Sequence, residues 1–241
     1  KGFFLQYSDE TTHRVDLPIK NYEADFIARV IKGRSYDNHP RLGPRDYGPR
    51  HNPDIDTFVN VALEYFSPLK WYNNYFTHGD LAMRHFLIDG TTLDFERAAM
   101  GNPFVDLAGF YMNAHANPTD FVYPYLAEVE SRTGKTFSDV KSQLKRAELY
   151  QAFCTLGTLC GRVPTGTGLG SQLVLRNHRQ EIYNTTGRIC SIFTRDKLED
   201  LGESFFRALE HSELRNSAYF DYKKMLADFR EEFLVAPKTY A

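Results

Sequence analysis

Cysteine is scarce in this sequence: Cys154, Cys160 and Cys190 are odd in number and show no C-x-x-C spacing. That excludes a disulfide framework and a structural zinc site built on cysteine pairs. No signal-peptide pattern opens the chain, so a reducing, cytoplasmic setting is expected. Long apolar runs are missing too. None approaches the roughly 18–20 residues a membrane-crossing helix needs, so a soluble protein with no membrane partner is expected. Nor is there an excess of one charge. Lys and Arg number 29 against 31 Asp and Glu, leaving a net charge of -2, which gives no broad pull toward nucleic acid. Internal repeats and low-complexity tracts are absent, and the Asn184 sequon has meaning only in a secreted chain.

Aromatic residues, by contrast, are abundant. Of 241 residues, 19 are Phe and 15 are Tyr, within a hydrophobic fraction of 42%. A chain of this length and composition can bury a sizeable core, and the aromatics read first as core. Residues 1–10 contain a short apolar strand, Phe3 to Tyr7. Residues 11–53 read as irregular, with Gly33, Pro40, Gly43, Pro44, Gly48, Pro49 and Pro53 punctuating the stretch from residue 32. Asp54 is the expected N-cap of a helix carrying Ile55, Phe58, Val59, Ala62 and Phe66, which Pro68 ends. Beyond Asn102-Pro103 the pattern is helical throughout. Ser138 precedes a stripe at Val140, Leu144, Ala147 and Phe153; a second stripe runs through Leu198, Leu201, Phe205 and Leu209. A last one runs through Phe220, Met225, Phe229 and Phe233.

Between the first of these helices and the later ones the pattern changes. His78-Gly79-Asp80 is a polar turn, followed by Phe86-Leu87-Ile88, Asp89-Gly90, and then Leu93-Asp94-Phe95-Glu96. An Asp-Gly pair between apolar runs predicts a hairpin. Phosphoryl transfer needs a carboxylate beside the attacking hydroxyl and ligands that hold Mg²⁺ against the nucleotide phosphates. An Asp in a tight turn, a ligand five residues later and a second Asp beyond a hairpin supply such a set: Asp80, His85 and Asp94. The competing reading is a chance His-Gly-Asp turn, with Asp94 capping the next helix.

The run from His78 to Phe110 resembles the C-lobe of the aminoglycoside phosphotransferase and choline-kinase group. That group's common form is H-G-D-L-x-x-x-N, a hairpin, I-D-F or I-D-W, and then G-D-P-x-x-D-L-A. Here the last part reads Gly101-Asn102-Pro103-Phe104-Val105-Asp106-Leu107-Ala108. The resemblance implies an α+β fold, a mostly helical protein-kinase-like C-lobe whose small hairpin carries the catalytic residues. It implies ATP and Mg²⁺ as cofactors and a small-molecule hydroxyl as acceptor, aminoglycoside-, choline- or sugar-like. Within it Asp80 is the base, Asp94 a magnesium and cofactor ligand, and His85 stands where the group has a metal-binding Asn. Asp106 is the structural aspartate that tethers the catalytic turn, and His78 stabilises that turn.

The domain expectation is a single kinase-like C-lobe over 1–241: hinge strand 1–10, irregular segment 11–53, catalytic core 54–110 and helical acceptor-binding part 111–241. The ATP-binding N-lobe, with its strand-borne lysine, is expected to be largely absent from this chain. Lys20 and Lys32 precede the motif, but neither has a strand context. The glycines from Gly157 to Gly170 lack the lysine of a P-loop and read as a connection between helices. Acidic positions for a cationic acceptor are scattered over Glu96, Asp120, Glu128 and Glu130. A second function class stays open, a non-catalytic kinase-like binding module. Protein-kinase activity is disfavoured, because only eleven residues separate Asp94 from Asp106 and no Ala-Pro-Glu follows.

Overall fold

A computed structural model describes residues 2–6, 12–27, 53–81, 85, 92, 94–114, 117–134, 136–160, 169–210, 224, 227, 230 and 231. Helices dominate these residues, with two small antiparallel strand pairs, so the α+β expectation holds. Strand β1 (Gly2–Gln6) pairs with β2 (Thr12–Asp16), Gly2 facing Asp16 and Gln6 facing Thr12. Helix α1 (Tyr22–Phe26) follows, then α2 (Pro53–Phe66) and a 3-10 helix at Ser67–Tyr72. Strand β3 (Tyr75–Thr77) pairs with β4 (Ala99–Gly101), and a 3-10 turn at Phe95–Arg97 comes just before β4. The rest is helical: α3 (Pro103–Ala114), α4 (Pro118–Thr133), α5 (Val140–Cys160), α6 (Leu169–Asp196) and α7 (Glu199–Glu210).

The beginning of the chain differs from the expectation. The strand read over 1–10 is there, but its partner β2 and helix α1 both fall in the segment read as irregular, 11–53. The polar residues Thr12, His13, Arg14 and Asp16 give little hydrophobic signal, because pairing with β1 is what makes them a strand. The expected N-cap, Asp54, lies instead in the first turn of α2, which starts at Pro53. Proline suits a first helical position, and Asp54 and Asp56 then sit where the helix dipole favours acid. Pro68 does not stop the chain from turning. It enters the 3-10 helix that succeeds α2. The Asp89-Gly90 hairpin, Lys32, most of the Gly/Pro-rich stretch and the stripe Phe220, Met225, Phe229 and Phe233 lie outside the described residues. Of the glycine run, residues 157–160 end α5, Leu169 and Gly170 begin α6, and 161–168 lie outside the described residues.

The chain divides into two compact units. One holds Lys1–Tyr22 and Pro68–Gln151, the other Glu23–Ser67 and Ala152–Ala241. The second is built on aromatic packing. Phe26, Phe58, Phe66, Phe153, Phe193 and Phe205 are all buried, with ring centroids of neighbouring pairs 5.3–6.2 Å apart. Such edge and tilted ring pairs each add ~0.5–1.5 kcal/mol beyond the area they remove from water.

The first unit is organised around a buried polar joint. Asn102 is fully buried at the start of α3. Its amide donates to Leu69 O (2.8 Å) and Gln143 Oε1 (3.0 Å), while its Oδ1 accepts from Phe104 N (2.9 Å). Gln143, also fully buried, donates to Pro68 O, and Tyr22 Oη accepts from Asn102 N. A carboxylate at 102 would have no proton to donate to Leu69 O, which the Asn102 amide supplies. Tyr72, Tyr75, Phe104 and Phe137 pack beside this joint.

Candidate active site

The His78-Gly79-Asp80 turn leaves β3 directly and is held by α3. Asp106 is buried, and its carboxylate accepts from His78 N (Oδ2, 2.5 Å) and Gly79 N (Oδ1, 2.9 Å). One side chain thereby satisfies two consecutive amides of a turn that has no helix or sheet to satisfy them. Burial raises the Asp106 carboxyl above its ordinary value, opposed by the His78 and Gly79 amides and by the charges of His78 and Lys20. Gly79 has φ +81°, and a Cβ there would meet Arg97 O at 2.3 Å. Only glycine fits, on grounds of both dihedral and space.

β4 positions the other side of the site. Thr77 Oγ1 donates to Ala99 O at 3.0 Å, locking the β3–β4 pair beside the turn. On the far edge of β4, Met100 N donates to Pro18 O and Lys20 N to Met100 O, both at 2.8 Å, with an isolated parallel bridge between Ile19 and Met100. Lys20 therefore does have a strand neighbour, and its charge reaches Asp106.

Asp80, His85 and Asp94 come together: one ligand atom from each lies within 4.8 Å of the others. His85 is buried, its Nδ1 2.7 Å from Asp80 O and its Nε2 3.5 Å from Asp94 Oδ2. Its ring stacks on His78, with centroids 5.5 Å apart and planes 18° apart, and His78 in turn lies 4.8 Å from Phe95. Asp94 occupies the left-handed region, φ 64°, ψ 58°, at the head of the Phe95–Arg97 turn. Its side chain makes no capping hydrogen bond. That disposes of the capping explanation for this residue. The carboxylate is 46% exposed, so it is reachable from solvent.

Three features of this region were not legible in the motif. Gly79 is required by the Arg97 carbonyl, nearly twenty positions away. Asp94 holds a backbone conformation that asparagine and aspartate tolerate better than most residues, which is a weak signal. The Asn102–Gln143 pairing depends on a helix forty residues downstream. The acidic residues Asp120 and Glu128 lie on α4, Glu128 paired with Arg132 along the helix surface, and neither is among the cluster of Asp80, His85 and Asp94.

Residues 24–137 match the model of the phosphotransferase enzyme family, APH, in agreement with the resemblance carried by His78 to Phe110. No curated protein and no solved structure matches the chain.

Proposed function

With residues 24–137 matching the model of the phosphotransferase enzyme family, we propose that this protein is an ATP-dependent small-molecule kinase of protein-kinase-like fold, the chain carrying its C-lobe. The acceptor is a hydroxyl of an aminoglycoside-, choline- or sugar-like compound, in a cytoplasmic setting. The observation that carries this reading is the convergence of Asp80, His85 and Asp94 within 4.8 Å. Two carboxylates and an imidazole at that spacing fit a divalent cation. Asp94 and His85 would hold Mg²⁺, which when bound neutralises charge on the nucleotide phosphates.

Asp80 orients the acceptor hydroxyl and takes its proton as the oxygen attacks the γ-phosphorus, while the bond from the γ-phosphorus to the β–γ bridging oxygen breaks and ADP leaves. Its backbone carbonyl meanwhile holds His85, at 2.7 Å. Asp106 keeps the turn shut by accepting from the two amides that precede Asp80. Phosphoryl transfer asks little covalent chemistry of a protein, so such positioning is most of the catalysis. A non-catalytic binding module is the alternative, favoured by His85 standing where the group has Asn.

The test is ATP consumption by the protein against a panel of hydroxylated compounds, beside Asp80→Ala. The variant should lose about 10²–10⁴-fold in kcat with nucleotide affinity unchanged. Turnover that survives the substitution would sink the base assignment. Nucleotide binding without consumption of ATP on any acceptor would favour the binding module.

A further inference from the structure

We propose that the outer face of the β3–β4 sheet seats the apolar body of the acceptor, so that the acceptor is an amphipathic alcohol, such as an alkyl glycoside, and not a polycation. This deepens the kinase reading and rests on it for what happens to the hydroxyl, but the face itself is independent of any nucleotide.

Phe76 faces Met100 across the β3–β4 pair, and Ile19 bridges Met100 from the far side. Residues paired in this way put their side chains on the same side of a sheet, so Ile19, Met100 and Phe76 form one row. It is an exposed row: Ile19 is 72% and Phe76 39% exposed, and Met100 is half-buried. Thr77, Ala99 and Gly101, the alternate positions, are all buried. A sheet with one wet side ordinarily turns its apolar residues in and its polar residues out. Here the larger apolar side chains are the ones that water touches, and they are contiguous, which is the mark of a surface that something covers.

The row leads to the candidate active site. Phe95 lies 6.1 Å from Phe76 and 4.8 Å from His78, centroid to centroid, and His78 stacks on His85 at 5.5 Å. Phe95 also follows Asp94, whose carboxylate is open to solvent. Apolar surface thus begins at the edge of the Asp80, His85 and Asp94 cluster and runs outward from it, within one compact unit. That continuity makes the acceptor the occupant. Adjacent strands lie about 4.8 Å apart, so the row from Phe76 across Met100 to Ile19 spans about 10 Å, the extent of an eight-carbon chain. None of Ile19, Phe76, Phe95 and Met100 carries charge. A polycation finds no counter-charge on them, whereas an alkyl chain gains by leaving water.

The experiment compares octyl β-glucoside, kept below its micelle concentration, with methyl β-glucoside on the whole protein without nucleotide. Binding is measured by calorimetry and mapped by the methyl NMR signals of Ile19 and Met100. A methylene lying on an open face loses about half of its contact with water, worth about twofold in affinity, so seven added methylenes should tighten binding about a hundredfold. The Ile19 and Met100 methyls should shift with the octyl compound and not with the methyl one. Phe76→Ser and Ile19→Ser should each cut the preference about tenfold, and Ile19 is so exposed that its replacement leaves the core untouched. Equal affinity for the two glucosides overturns the proposal, and so does a preference that both variants keep. A dimer in sedimentation that Ile19→Ser dissociates overturns it in favour of a second copy of the chain on this face. Octyl glucoside held on the row while no hydroxyl compound draws ATP consumption would refute the kinase reading and leave the apolar seat standing. ATP consumed equally with both glucosides would refute the seat alone.

Discussion

Asp94 carries a backbone cost that its side chain does not recover within the fold. A non-glycine residue at φ 64° is strained by roughly 1 kcal/mol, and here the side chain does not repay it through a cap. Asp94→Gly should therefore keep the thermal midpoint or raise it by a few degrees, while removing phosphoryl transfer. Thermal melts beside ATP turnover check this. A large fall in the midpoint would mean that the carboxylate holds the fold together. Gly79 is the opposite case, where the absence of a side chain is what the neighbouring Arg97 carbonyl demands.

At the scale of elements, helix ends and buried joints set where the site can stand. α6 closes on Lys197 in the left-handed region, φ 56°, with Leu198 N donating to Phe193 O at 2.9 Å. Glycine is the usual residue at such a position, since it carries no Cβ to strain the turn. Lys197→Gly should stabilise the protein by ~0.5–1 kcal/mol, measured by denaturant unfolding. A loss of stability would mean that the lysine stem packs usefully. The amphipathic face of α7 was plain in its spacing, and Leu201, Phe205 and Leu209 are buried as expected. The stripe read on α5 is half met: Ala147 and Phe153 are buried, Val140 and Leu144 only partly, and the polar Gln143 and Glu148 are buried beside Leu149 and Tyr150. Glu148 is tolerated there because Tyr111 Oη donates to it at 2.5 Å, as Gln143 is tolerated because Asn102 and Pro68 pair with it.

For the molecule as a whole, the buried carboxylate of Asp106 ties stability to pH. Its native value is raised, chiefly by burial. The native state therefore holds its proton at pH values where the unfolded chain has released it, and stability falls as pH rises from the ordinary carboxylate range through the raised native value. In Asp106→Asn that component should be missing, so the advantage of the wild type over the variant should shrink across the same window. Denaturant unfolding at a series of pH values measures it, with carboxyl carbon titration by NMR as a direct reading of Asp106. An advantage that grows with pH would show that the His78 and Gly79 amides and Lys20 outweigh burial. Among the described residues no helix is long and apolar enough to cross a membrane, in keeping with the short apolar runs of the sequence.

The sequence by itself determined the spacing of the candidate site residues: His78-Gly79-Asp80, His85, Asp94-Phe95 and Asp106 stand at intervals local enough to read, as do the apolar stripes of α2 and α7. The division into two compact units, the β1–β2 pair, the left-handed Asp94 and the Asn102–Gln143 joint were decided only by tertiary structure. The reason is common to them. Each depends on a partner distant in sequence or on backbone geometry imposed from outside the segment, and a polar residue such as Gln143 becomes a core residue only once its partners are in place.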